Sequence, residues 1–316
     1  MKKTAFLFPG QGSQVIGMGL ELYQEYEEVR ELFDMAEDLT KTYLSRLCFK
    51  GPMEDLTQTV ILQPAVTVVN LACLLAIQKE GIMPEITAGH SLGEFSALCC
   101  AEVITPEDTL KLVHKRGELM HQQAIVHKGT MSAVMGLSYD QVAEVVTDVQ
   151  RPLSFPRCVT IANHNTESQI VISGDPDSVK KAGEKIKTRG GRAIPLKVSG
   201  AWHSPLIKGA EDKFGEVLNT CPFEKPARQI IFNVSAMGAD TSEDMRTNML
   251  NQLCSPVRWY ESMQHMINEG VEQFVEVGPG NVLSGLLKKI LPGDFPGKIY
   301  AVNTMKSLEL FFKDGI

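Results

Sequence analysis

The chain has 316 residues, 43% of them apolar and 22% charged, a balance that supports a sizeable core and excludes disorder or a fibrous repeat. This length suits one large domain, with or without an insert, and neither a small disulfide-stapled module nor a multidomain synthase. With 31 basic against 38 acidic side chains the net charge is -7, which leaves no cationic excess to neutralise phosphates and argues against nucleic-acid binding.

Strand and helix signals alternate from the start. Thr4-Ala5-Phe6-Leu7-Phe8 reads as a buried strand running into a turn at Pro9-Gly10, and Ile86-Thr87-Ala88 as a second strand ending at Gly89. Between them, Leu22 to Leu39 and Pro64 to Lys79 have helical length and periodicity. A helix from Pro106 to Gln122 is announced by Thr105 at its N-cap, Pro106 in its first position and Glu107-Asp108 in its first turn. From about residue 128 the rhythm changes. Strand signals at 131–137, 159–163, 169–173 and 192–198, with helices at 139–149 and 176–189, give the order β-α-β-β-α-β of a ferredoxin-like unit. Alternation then resumes with a helix opening at Pro205, a strand at Ile230 to Val234, and a strand-turn-helix from Phe274 through Gly278-Pro279-Gly280 to Lys289. The pattern predicts an α/β core with a mainly parallel sheet, formed by residues 1–127 and 199–316, interrupted by an inserted subdomain at 128–198.

The seven cysteines (48, 73, 99, 100, 158, 221 and 254) are odd in number, lack C-x-x-C spacing and sit mostly in apolar runs, so they are expected to be buried reduced thiols. The apolar stretch Thr4 to Phe8 is too short for a signal-peptide core, and the longest apolar run, Ala65 to Ile77, falls short of the roughly 20 residues that span a bilayer. A soluble cytoplasmic protein that does not enter the membrane is the expectation.

Three features suggest chemistry. Gly89-His90-Ser91-Leu92-Gly93 is a G-x-S-x-G turn between a strand and a helix expected to be amphipathic. Such a turn exposes a serine hydroxyl at a helix N-terminus, where backbone N–H groups stabilise an oxyanion; a plain helix cap is the other reading. Of the histidines at 90, 114, 121, 127, 164, 203 and 265, His203 stands out. It follows a strand and precedes the helix at Pro205, hence lies at the sheet edge where α/β enzymes assemble their sites; an exposed loop histidine fits equally well. Arg116 shares a helix face with Thr109, Val113 and Met120, and a guanidinium there requires an anionic partner or a path to solvent. A structural ion pair and a ligand carboxylate both satisfy it. The turn Pro9-Gly10-Gln11-Gly12-Ser13-Gln14 is not a dinucleotide loop, because Val15 stands where G-x-G-x-x-G needs glycine. No metal-ligand spacing is recognisable.

Six segments, Phe8 to Gln14, Gly89 to Glu94, Arg116-Gly117 with Met120, Ile161-Ala162-Asn163, Val198 to Ser204 and Glu276-Val277-Gly278-Pro279-Gly280, resemble in order the motifs of malonyl-CoA:acyl carrier protein transacylases, over essentially the whole chain. The resemblance implies an α/β-hydrolase-like core with a ferredoxin-like insert. It implies Ser91 as acyl-accepting nucleophile, His203 as its base, an oxyanion hole from the N–H groups of Gln11 and Leu92, and Arg116 as the malonyl carboxylate clamp. Gln252 matches the residue whose main-chain carbonyl orients the histidine, and Gln63 and Asn163 match polar positions near the pocket. Malonyl-CoA and acyl carrier protein are the implied partners, and no metal or redox cofactor is implied. Trp202 departs from the phenylalanine more usual in the family, and its larger ring is expected to narrow the acyl pocket. An acyl hydrolase acting on carrier-bound groups and an idle carrier-docking subunit are the competing functions. Carriers of this family are expected to be acidic, so docking must use a local basic patch. The stretch from Lys185 through Lys187, Arg189 and Arg192 to Lys197, free of acidic residues, is the candidate; a solvated helix end, where cations suit the dipole, explains it equally.

Overall fold

The computed structural model describes residues 2–151 and 154–315. Its nine strands are β1 (Thr4–Phe8), β2 (Ile86–Gly89), β3 (Thr130–Met135), β4 (Val159–Thr166), β5 (Gln169–Gly174), β6 (Arg192–Pro195), β7 (Gln229–Ile231), β8 (Gln273–Val277) and β9 (Lys298–Val302). They form two sheets, one ordered β7-β2-β1-β8-β9 and one ordered β4-β5-β3-β6.

All pairings in the first sheet are parallel. Parallel strands need crossover connections whose helices cover both faces; β2 and β8 are accordingly buried at every position and β1 at all but its first. The register pairs Phe8 with Gly89 and Leu7 with Glu276, so the turns after β1, β2 and β8 emerge side by side at one edge. Glu276 stays at that edge as a cap: its carboxylate accepts the N–H groups of Leu283 and Ser284 at 2.9 and 2.7 Å, at the start of the helix Val282–Ile290.

The second sheet is antiparallel throughout, with helices Tyr139–Gln150 and Pro176–Thr188 between its strands in the order β-α-β-β-α-β. Ser138 and Gln141 form a capping box, and Asp175 caps the other helix. This sheet is stitched to the core by β4, where Val257 N–H donates to Ala162 O at 2.8 Å and His164 N–H to Val257 O at 2.9 Å. Register shifts between Ile161 and Asn163, and between His164 and Thr166, bend the strand there. β4 thus ties its sheet to the core segment around Val257, and the bend brings Asn163 and Asn165 to the cavity over Ser91.

Several elements differ from the sequence expectation for local reasons. The helix expected over 22–39 is two, Leu20–Glu25 and Glu27–Thr40, separated by an extended Tyr26; Arg30 Nη1 caps the carbonyls of Tyr23 and Gln24 at 2.9 and 3.0 Å. The helix expected from Pro64 begins five residues earlier, as Thr59–Gln78. It is the only helix among the described residues long and apolar enough to cross a membrane, and 83% of its most apolar 18-residue stretch is buried within the fold. Its Asn70, 0% exposed, ties the β1 turn to the core through Pro9 O and Ser96 Oγ at 3.0 and 3.1 Å. β6 stops at Pro195, not 198: one further ladder bond follows, from Leu196 N–H to Met131 O at 2.9 Å, and Val198 N–H then turns back on Leu196 O. The helix after Gly93 is buried almost all round, not amphipathic. Pro205–Ala210 is a 3-10 turn that continues as an α-helix, and β7 ends at Ile231, short of Val234. Strand β9 and the helix Met305–Asp314 had no counterpart in the sequence reading.

Candidate active site

The Gly89–Gly93 turn is sterically closed. A Cβ on Gly89 would lie 1.9 Å from the Gly93 carbonyl carbon, and one on Gly93 would lie 2.0 Å from Phe8 O, so only glycine lets the elbow press against the end of β1. Ser91 between them is held at φ 51°, a left-handed conformation that persists only where the surroundings impose it. Asn233, just beyond β7, does so: its Oδ1 accepts Ser91 N–H and its Nδ2 donates to Gly89 O, both at 2.7 Å. The neighbouring His90 points elsewhere, with Nε2 2.8 Å from Asn165 Oδ1 and its ring edge-on to Trp259.

His203 also has positive φ, 57°, in the turn ahead of Pro205. Its Nε2 lies 2.8 Å from Ser91 Oγ, while Nδ1 faces the main-chain carbonyls of Gln252 and Ser255 at 2.9 and 3.1 Å. Carbonyls only accept, so Nδ1 carries the proton and Nε2 is left to accept from the serine. Burial, with the nearby Arg116 charge, pushes the imidazole down to about 3, so it is neutral at pH 7. The exposed-loop reading of His203 is excluded, since the residue is 3% exposed.

Arg116 is 1% exposed. Its Nη1 donates to Gln63 Oε1 at 3.0 Å, and its Nη2 donates to Gln252 Oε1 at 3.0 Å and to Ser91 Oγ at 3.2 Å. The Phe95 ring lies 5.7 Å from the guanidinium carbon. Among the described residues no carboxylate lies within ion-pair distance of it, so the structural salt bridge does not form. Nε has no partner either. Burial holds the guanidinium down to about 10, opposed by the charge of Glu94.

Gln252 joins these parts: its carbonyl meets His203, its Oε1 meets Arg116, and its Nε2 donates to Ser91 O at 2.8 Å and to the Glu94 carboxylate. The other Glu94 oxygen accepts Asn233 N–H at 2.6 Å. Burial pushes the Glu94 carboxyl up to about 8 against those donors and the Arg116 charge. Sequence reasoning assigned no role to Glu94 and passed over Asn233. Each had a signal: a lone acid in an apolar helix and a polar residue interrupting an apolar run at a strand end.

A cavity of about 360 Å³ opens over Ser91 and His203. Gln11, Leu92, Asn163 and Trp202 line it, and Lys197 sits on its wall; Gln63 stands behind Arg116 and does not line it. Among the described residues neither Gln11 N–H nor Leu92 N–H donates to another protein group. The seven cysteines are all unpaired, five buried and two half-buried. Burial raises their thiols, Cys48 and Cys73 to about 12 and Cys99 to about 11.

A serine on a strained strand-to-helix elbow, a neutral histidine on its hydroxyl and a buried cation beside both is the layout of a serine enzyme that handles acyl groups. The chain belongs to the acyl transferase domain family, whose model matches residues 5–304. It is 44% identical over 291 residues to a malonyl CoA-acyl carrier protein transacylase of Bacillus subtilis strain 168, covering 92% of this chain and 91% of that one. Among solved structures it matches an acyl carrier protein S-malonyltransferase from Vibrio cholerae with a TM-score of 0.90 and 38% identity, over 98% of this chain and 99% of that one. It also matches a malonyl-transacylase in complex with its type II polyketide-synthase acyl carrier protein, with a TM-score of 0.92, 36% identity and 99% coverage of both chains.

Proposed function

We propose that this protein transfers a malonyl group from malonyl-CoA to the phosphopantetheine thiol of an acyl carrier protein through a malonyl-Ser91 intermediate. Ser91 Oγ attacks the thioester carbon as His203 Nε2 takes its proton, and the oxyanion that forms accepts the Gln11 and Leu92 N–H groups. Collapse breaks the C–S bond, and His203 returns the proton to the departing CoA sulfur. In the second half His203 deprotonates the carrier thiol, which attacks the ester, and Ser91 leaves with that proton. Gln252, through its main-chain carbonyl, holds the Nδ1–H tautomer throughout. Gln63 braces Arg116, and Asn163 offers its amide to the bound acyl group. Residues 1–127 and 199–316 are the catalytic core in this reading, and 128–198 the insert that walls the cavity. The reduced thiols fit a cytoplasmic setting.

The observation that carries the reading is Arg116, buried 3.2 Å from Ser91 Oγ with only neutral partners. A fork so placed meets a carboxylate on the far end of a short acyl chain. A hydrolase or a docking subunit has no use for it. Incubation with malonyl-CoA and a holo carrier protein should shift the intact mass of the carrier by one malonyl group. Free malonate with an unmodified carrier would make the protein a hydrolase, and absence of turnover would make it a docking subunit.

The carrier must bring its thiol to that cavity. In the proposed docking stretch Arg189 Nη1 lies 2.7 Å from Glu144 and Lys185 Nζ 3.8 Å from Asp148, so the neighbouring helix neutralises part of the patch. Lys187, Arg192 and Lys197 are exposed. Charge reversal at Lys187 and Arg192 together should raise KM for the carrier by roughly threefold to tenfold, with salt acting in the same direction, and leave Ser91 acylation by malonyl-CoA unchanged. A carrier KM indifferent to both moves docking to Lys288 and Lys289, in the last turn of the helix Val282–Ile290.

A further inference from the structure

Glu94 is the one acidic side chain of the helix Gly93–Cys100, is 1% exposed, and has no step in the two half-reactions above. Both of its contacts are donors: the Asn233 backbone N–H and the Gln252 side-chain amide. The opposite end of that amide, Gln252 Oε1, accepts Arg116 Nη2 at 3.0 Å. The amide therefore lies between a guanidinium, which only donates, and a carboxylate, which only accepts. The two ends of a glutamine amide are almost the same size, so hydrogen-bond polarity alone selects which end faces the arginine. Turning it over would set N–H against N–H at Arg116, and oxygen against oxygen at both Glu94 and Ser91 O.

We propose that Glu94 is a positioning residue for substrate selection: by locking the Gln252 amide it seats the Arg116 guanidinium for the malonyl carboxylate. The proposal rests on the malonyl-transfer reading. The lock acts on one branch of Gln252 only. His203 is held by the main-chain carbonyl of Gln252 and by Ser255 O, neither of which depends on the orientation of the amide. Loss of the Glu94 carboxylate therefore disturbs recognition of the acid end and leaves the base in place. Burial works against the charge on Glu94, while the two donors and Arg116 support it. Each Glu94 oxygen meets an N–H donor, the Asn233 backbone on one and the Gln252 amide on the other, so this geometry is the one an acceptor-only carboxylate satisfies, and it opposes the burial that raises the group.

Glu94→Gln is the test, because it keeps shape and removes the acceptor-only character. An amide at this position must face one of its donors with an N–H or let Gln252 turn over. Malonyl kcat/KM should fall about tenfold to a hundredfold, mainly through KM, the scale of one hydrogen bond to a charged group. Acetyl transfer should stay within about threefold of the wild type. Titration with a serine-directed fluorophosphonate normalises both rates to the competent fraction, so partial misfolding does not enter the ratio. Glu94→Asp, which keeps the carboxylate, should recover part of the malonyl preference. Equal losses for both acyl groups, an unchanged malonyl KM, or an aspartate variant no better than the glutamine one would each overturn the proposal. A wild type that moves acetyl as well as malonyl would instead sink the malonyl-transfer reading, whereas a preference that is present in the wild type and survives Glu94→Gln sinks only the role of Glu94.

Discussion

Replacing Ser91 with Ala should abolish the malonyl adduct on the protein, and replacing His203 with Ala should slow its formation by about 100-fold or more, the usual scale for a lost general base. The first loss should be complete because no second nucleophile is poised at the site. Cys99 and Cys100, the nearest thiols in sequence, lie on the Gly93–Cys100 helix, where burial pushes Cys99 up to about 11 and Cys100 higher still. Stopped-flow acylation with intact-mass readout checks both variants. An adduct on the Ser91 variant would move the chemistry elsewhere, and an unchanged rate in the His203 variant would remove the histidine from it. The pH dependence carries a further sign. A base works when neutral, and burial with the Arg116 charge holds His203 down at about 3. Wild-type acylation should therefore show no decline as pH falls through 6.5, where an ordinary histidine becomes charged.

Arg116→Ala should lower malonyl kcat/KM by about 100- to 1,000-fold, since two hydrogen bonds to a charged group are lost at about 1.5–2 kcal/mol each. Acetyl transfer should change by less than about tenfold, because acetyl offers the guanidinium nothing to hold. Lysine should recover little, as a point charge cannot make the paired contact. The same variant removes a positive charge that depresses His203, so the acid limb of acetyl acylation should move to higher pH than in the wild type. Competition assays with malonyl-CoA and acetyl-CoA measure the ratio directly. Equal losses for the two substrates would reduce Arg116 to a structural residue.

The parts of this protein legible in its sequence are those governed by short-range rules. Thr105-Pro106-Glu107-Asp108 marks a helix start whatever surrounds it, and the Thr105 side chain accepts Asp108 N–H at 3.1 Å as that pattern requires. The β-α-β-β-α-β order of the second sheet was readable because each element is bounded by its own turn residues. Ser91 was legible because glycines at 89 and 93 mark close backbone approach, a steric demand that leaves its mark on residue type. The break at Tyr26 was not legible. It depends on Arg30 reaching back to two carbonyls, and nothing in the periodicity of that stretch records this.

The alternatives that the residues left open at His203 and Arg116 were decided by neighbours distant in the chain. His203 is buried against Ser91 with a free Nε2 acceptor, and not an exposed loop histidine, because Gln252 and Ser255 present carbonyls to one nitrogen while Ser91 meets the other. Arg116 is unpaired because the helix Thr59–Gln78 and the segment around Gln252 bring it amides and no acid. Asn233 and Glu94 had no visible partner in sequence, as the groups they hold lie more than a hundred residues away along the chain. Local steric and capping rules act through the residue itself and are written in its neighbours. Charge state, tautomer and hydrogen-bond polarity depend on what folding packs against a group, and for this site they were set when the helix Thr59–Gln78 and the segments carrying Asn233 and Gln252 closed around the Ser91 elbow.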